Sequence, residues 1–333
     1  MPAYVVVGGF FLACGALVWS SLTDRRKRRR RMGRWGELAR SHGGRYQPPR
    51  LLDSGVSAEF VVGLTVVTLD TVRRRDGRNH STFTRVRARF AYAEGPVFGT
   101  KRTNDLLPRL GSGWHELTLE NDAGGIALQC RDIAATRHAW TARARQLFQE
   151  RTVVTSTDQE VRLERLGVLD VGAKLDAMLE LAAELASFGA RDVTSYARLP
   201  DVELHPPTVD PPTPFRCVLP TKVGEIEFRA RAGGGGGGEP RLVIVLHHER
   251  KLGSFEATLG DTSEANIPAE LRGAEFMPRF AKLAGASLSN AAGDGEGTLT
   301  LEWPTMPEEE AVTRGVELLI SILAPPASAG AFR

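Results

Sequence analysis

The chain has 333 residues, 42% of them hydrophobic and 25% charged, which excludes a disordered polymer and a polytopic membrane protein. Three cysteines, Cys14, Cys130 and Cys217, lie far apart without a Cys-x-x-Cys pair, which excludes a disulfide scaffold. The net charge of +3 is local: residues 1–34 hold eight basic side chains against one acid, and the remainder holds 35 against 39, which argues against a nucleic-acid-binding surface spread over the folded part.

Ala3 to Thr23 is a run of 21 residues without a charge. As a helix it spans roughly 30 Å, the hydrocarbon thickness of a bilayer. Tyr4 and Trp19 fall near its ends, where aromatic rings favour the headgroups. A cleaved signal peptide needs basic residues before the apolar run. Here they follow it. Leu12-Ala13-Cys14 resembles part of a lipobox, but Phe11 and Leu12 fit that pattern poorly, so Cys14 reads as a small apolar residue of the helix. After Asp24 come Arg25, Arg26, Lys27, Arg28, Arg29, Arg30 and Arg31. Seven consecutive basic residues keep their side cytoplasmic, and they also suit anionic lipid head groups. The expected topology has the N-terminus outside and the following domains in the cytoplasm, at a bacterial inner membrane. Arg outnumbers Lys 37 to 6, a codon signature of a GC-rich bacterium.

Trp35 to Ser41 reads as a short helix ending at Gly43-Gly44. A strand pattern follows over Phe60 to Val72, then a hairpin turn at Asp76-Gly77 and a partner strand from Thr82 to Tyr92. In that partner Val86, Ala88 and Phe90 alternate with Arg85, Arg87 and Arg89, which predicts one buried and one solvated basic face. Short strands are expected at Leu117–Leu119 and Ile126–Cys130, a helix over Ile133–Phe148, a strand at Glu160–Leu166 and a helix over Gly172–Phe188. The Pro-rich stretch 199–215 reads as an extended linker.

Beyond it the order recurs. A strand over Gly224–Ala230 leads through six glycines, Gly233 to Gly238, into a wholly apolar strand within Arg241–His248. Such a strand is expected to be covered on both faces. A helix over Ala269–Leu283, interrupted at Pro278, precedes a strand at Thr298–Trp303 and a helix over Glu308–Leu323. Thr305-Met-Pro-Glu308 has the capping-box pattern. Val161-Arg-Leu-Glu164 matches Leu299-Thr-Leu-Glu302, and the helix stripes after them share one spacing. The shared order of hairpin, helix, strand and helix predicts an internal duplication.

No motif converges on chemistry. His247-His248-Glu249 sits at a strand end, where neighbouring side chains point to opposite faces and cannot share one metal. Gly293-Asp-Gly295-Glu-Gly297 precedes a strand instead of opening a helix, and the glycine run lacks the Lys-Ser/Thr of a phosphate loop. Cys130 and Cys217 fall beside apolar strands and read as inert thiols.

The expected class is α+β. A single N-terminal transmembrane helix (1–23) and a basic juxtamembrane segment (24–34) precede two related α+β domains (35–190 and 216–324), each an antiparallel sheet with helices on one face. A Pro-rich linker (191–215) joins them and a frayed tail (325–333) ends the chain. The expected function is a non-enzymatic binding or scaffold protein whose partners are the lipid bilayer, with its anionic head groups, and another protein. No cofactor, metal ion or nucleic acid is expected. Two alternatives stand beside it: an enzyme with a site between the domains, and a structural subunit of an envelope assembly.

Overall fold

The computed structural model describes residues 23, 26–27, 29–48, 57–76, 79–92, 95–100, 113–120, 125–231, 240–249, 252, 254–258, 276–283, 285–292 and 297–323. The expected transmembrane helix, the glycine run, the loop at Gly293–Gly295 and the tail lie outside the described residues. No described helix is long and apolar enough to cross a membrane.

Residues 23 and 26–27 are helical, and helix α1 runs over 29–41. Its Trp35 and Ala39, four apart on one face, are fully buried. The Trp35 indole N–H donates to the carbonyl of Leu169 at 3.1 Å. Strands β1 (Arg45–Gln47), β2 (Ser57–Val62), β3 (Thr65–Asp76) and β4 (Asn79–Arg89) follow. The expected strand over Phe60–Val72 is thus two strands, because Gly63, at φ 58°, supplies the left-handed turn that reverses the chain.

Next come β5 (Phe98–Thr100), β6 (His115–Leu119), β7 (Ile126–Cys130), α2 (Ile133–Ala139), α3 (Ala142–Leu147), β8 (Val153–Ser156), β9 (Glu160–Leu166) and α4 (Ala173–Ala186). The single helix expected over Ile133–Phe148 breaks at Trp140. There Thr141 turns extended and its side chain caps α3 by accepting from the Ala144 N–H at 3.0 Å. The break lets the buried Trp140 ring meet Phe98 and Phe148 edge-on, with centroids 5.8 and 5.7 Å away. These nine strands form one antiparallel sheet, ordered β1-β2-β3-β4-β9-β8-β5-β7-β6.

The second sheet begins after α5 (Ala190–Val193) and a 3-10 turn at Thr194–Arg198. Ala190, Val193 and Tyr196 pack into the second core, not the first. The Pro-rich stretch contains β10 (Glu203–His205), which edges the second sheet, and a two-stranded hairpin, β11 (Thr208–Val209) with β12 (Pro212–Thr213). Then follow β13 (Arg216–Thr221), β14 (Gly224–Arg231), β15 (Arg241–His248), β16 (Phe255–Thr258), α6 (Phe276–Phe280), β17 (Ser287–Ala292), β18 (Gly297–Glu302) and α7 (Glu309–Leu323). Helix α7 starts at Glu309, four residues past Thr305 of the expected capping box, and the Glu308 carbonyl accepts its first amides, from Ala311 and Val312. The sheet order is β10-β13-β14-β15-β18-β17-β16.

The chain is therefore a mixed α+β protein with two large antiparallel sheets. Six successive positions correspond: β2-β3-β4-β9-β8-β5 in the first sheet and β13-β14-β15-β18-β17-β16 in the second. Register agrees too. Glu164 lies opposite Arg85 and Val153, and Glu302 lies opposite Val243 and Ser287. Each sheet buries one face under its last helix, through Leu175, Leu179, Ala182 and Ala186 on α4 and Val312, Val316, Leu319 and Leu323 on α7.

The opposite faces carry interleaved charges. Asp70 accepts from Arg85 Nε and Nη2, both at 2.7 Å, and from Arg87 at 3.2 Å, so those arginines are pinned instead of simply solvated. Arg74 lies 2.5 Å from the buried Glu164. On the second sheet Arg229 pairs with Glu227 at 2.6 Å and Arg241 with Glu302 at 3.3 Å. Strand β15 is buried on both faces, with Leu242, Ile244 and Leu246 in the core and Val243 and Val245 covered opposite.

Candidate functional site

A concavity among the described residues lies where the first sheet meets the Pro-rich segment. The turn at Gly63-Leu64, the start of β3 and the residues after β4 form one wall. Hairpin β11–β12, which packs against β2, forms the other. An ion pair between Arg45 and Asp210 ties that hairpin to β1. The groove holds about 190 Å³ and is mostly apolar, with Leu64, Val66, Phe90, Val209, Pro212 and Phe215 among its lining residues. Glu59 and Arg89 are its charged lining residues, and Thr208 and Thr213 share a hydroxyl contact at 2.8 Å. Small-molecule sites usually run to roughly 300–1,000 Å³. This groove is smaller than that range.

Below the groove the two sheets are joined. Phe215 is buried and meets the Tyr92 ring edge-on at 6.3 Å. The Tyr92 hydroxyl donates to the Phe228 carbonyl on β14 at 2.9 Å, and burial pushes this phenol far above its usual range. On the other side His138 of α2 lies 2.7 Å from Asp192 of α5, whose second oxygen accepts the Gly189 N–H at 3.1 Å.

The residues singled out from the sequence fall in three places. Of the basic run, Arg25 and Arg28 lie outside the described residues, while Arg26, Lys27, Arg29 and Arg30 are exposed. Arg31 donates to the Val168 carbonyl at 2.9 Å, and Arg34, just beyond, pairs with Asp170 at 3.1 Å. The basic helix is thus docked on the loop after β9. The pair His247-His248 divides. His247 is exposed, as a strand end requires, but His248 is buried, and its Nε2 lies 2.9 Å from Asn290 Oδ1. Sequence alone could not show that, since β17, which carries Asn290, was not anticipated. Among the described residues no group of three His, Cys, Asp or Glu side chains could hold a metal ion. Burial pushes the Cys217 thiol up to about 12, with Glu227 adding to it, and raises Cys130 as well, so neither is poised as a nucleophile.

The groove itself had no sequence signal beyond its prolines, because its walls come from segments about 150 residues apart. No family model matches the chain, and no curated protein does. Among solved structures the chain is similar to the crystal structure of the mycobacterial trehalose monomycolate transport factor A, TtfA, at 13% identity. The match covers 49% of this chain and 94% of that one with a TM-score of 0.32, a level that does not establish a shared fold.

Proposed function

We propose that this chain is a single-pass, membrane-anchored, non-enzymatic binding or scaffold protein at the cytoplasmic face of a bacterial inner membrane. Its two α+β halves are related by internal duplication, a reading supported by the six corresponding strand positions and their common register. The observation that carries the anchoring is the docking of α1. The uncharged stretch 3–23 leads through the basic run into a helix whose Arg31, Arg34 and Trp35 are bonded to the loop 168–170. That arrangement holds the first half close to the bilayer, on the side that the basic residues keep cytoplasmic. Binding is favoured over chemistry by the groove, whose lining is apolar and rich in proline. It would take an apolar segment of a protein partner.

Two measurements test this. A fluorescent protein that matures only in the cytoplasm, fused after Arg333, should light up, and a periplasm-active phosphatase fused there should be silent. Strong phosphatase activity would overturn the topology. Crosslinking from a photoreactive residue at Leu64 in intact membranes should then capture a protein. Turnover of a small molecule that Phe90→Ala abolishes would favour an enzyme instead.

A further inference from the structure

We propose that the hairpin end of the first sheet is a second membrane contact, seating the first half on anionic phospholipid head groups; this rests on the anchored topology above. Only Leu166 and Leu204 are strongly exposed among the large apolar side chains described, and Leu166, at 64%, is the more exposed. Strand alternation puts Leu166 on the same face as Val72 and Phe83, at the end where β3 and β4 run past β9. The Arg74 guanidinium lies 5.6 Å over the Phe83 ring. On the other face of the same end, Arg73 and Arg75 are exposed.

The start of α1 comes to this end as well. Gly167 donates to Thr82 at 2.8 Å and Arg31 to Val168 at 2.9 Å, so the chain leaving the basic run meets the loop after β9 two residues past Leu166. Exposed Arg26, Lys27, Arg29 and Arg30 precede that contact. Positions 23, 26–27 and 29–31 are helical, and a helix rises only about 12 Å over eight steps. The headgroup layer is itself roughly 5–8 Å deep. The hairpin end therefore lies about 4–7 Å above the head groups, within the reach of an arginine side chain. There exposed Arg73 and Arg75 on one face and exposed Leu166 on the other suit the interface: the long cationic side chains reach the phosphates, and the leucine leaves water for the headgroup region.

The test uses the full chain with Cys14→Ser and Leu166→Cys, labelled with an environment-sensitive fluorophore; Cys130 and Cys217 are fully buried and stay unlabelled. It is reconstituted in vesicles of phosphatidylcholine alone or of equimolar phosphatidylcholine and phosphatidylglycerol. In the equimolar vesicles the emission should shift to the blue and be quenched by a lipid that carries a spin label on its head group. A label at Leu204→Cys should remain water-like. Replacing Arg73 and Arg75 with Gln should lower the docked-to-free ratio roughly thirtyfold, about fivefold for each cation near an anionic surface. A water-like Leu166 label in a chain that floats with the vesicles would overturn the docking and leave the anchor standing. An equal blue shift in phosphatidylcholine alone would overturn the role of the cations. A chain that fails to float would overturn both.

Discussion

Gly315 sits in the middle of α7, where helix propensity and tertiary packing disagree about its replacement. In an isolated helix Gly315→Ala would stabilise by about 1 kcal/mol, since glycine loses more backbone freedom on ordering. In this fold a β-carbon there would lie 2.5 Å from the Trp303 ring and 2.7 Å from Leu301 Cδ2. Carbon atoms pack at roughly 3.5–4.0 Å, so α7 or the indole must retreat by about 1 Å. Neither yields readily. Trp303 is 3% exposed and its backbone N–H is held by the Leu242 carbonyl at 2.9 Å, while α7 is pinned by Val312, Leu318 and Leu319. Overpacking of a filled core costs about 1–3 kcal/mol, and the upper part of that range applies between two rigid neighbours. The net expectation is a loss of about 2 kcal/mol. With a urea slope of roughly 2 kcal/mol/M, that lowers the unfolding midpoint by about 1 M. The assay is urea unfolding of the detergent-solubilised full chain, followed by tryptophan fluorescence. Trp303→Leu combined with Gly315→Ala should cost less than the sum of the two single changes, because the clash partner is gone. A midpoint that rises in Gly315→Ala would refute the close approach of α7 to β18. Aligned on the stripes beginning at Leu175 and Val312, the matching position of α4 is Met178, whose neighbouring strand β9 carries Arg165 where β18 is followed by Trp303. Side-chain volume is thus redistributed between the same two layers.

Trp35→Ala removes a fully buried indole and its bond to Leu169. It should cost about 3–5 kcal/mol and free α1 from the first core, seen as new trypsin cleavage within 31–40. His247→Gln should stay within about 0.5 kcal/mol, whereas His248→Gln, at a buried site bonded to Asn290, should cost about 1–3 kcal/mol by thermal unfolding. Cys217 should resist alkylation at pH 8 in the folded chain and react in urea, as read by mass spectrometry. Its thiol is raised from 9.0 to about 12 on folding, so the folded state holds the proton more tightly. Its stabilising contribution is complete below pH 9.0 and is lost as pH rises towards about 12. Stability to urea that increases over that window in the wild type relative to Cys217→Ala would contradict the burial.

Strand β9 over Glu160–Leu166, β15 over Arg241–His248 and the helices α4 and α7 were legible in the sequence, because each carries its own period of apolar residues. The uncharged stretch beside seven cations is a local signal of the same kind, and the anchor proposed from it rests on the sequence alone. What failed were boundaries set by three-dimensional partners. The turn at Gly63 is hidden inside a continuous apolar run, and the break at Trp140 is made by rings that meet only once Phe98 and Phe148 are in place. Short strands such as β5, β8, β16 and β17 have three to six residues, too few for a period, and exist because neighbours offer them a ladder. His248 shows the limit most plainly. As part of a sequence it ends a strand, and it becomes buried only because β17 brings Asn290 beside it. The groove and the hairpin end belong to the same class. Their residues come from segments far apart in the chain, so periodicity, a property of neighbours in sequence, carries no information about them: the pairing of β9 with β4 makes the hairpin end, and the seating of hairpin β11–β12 on β2 makes the groove.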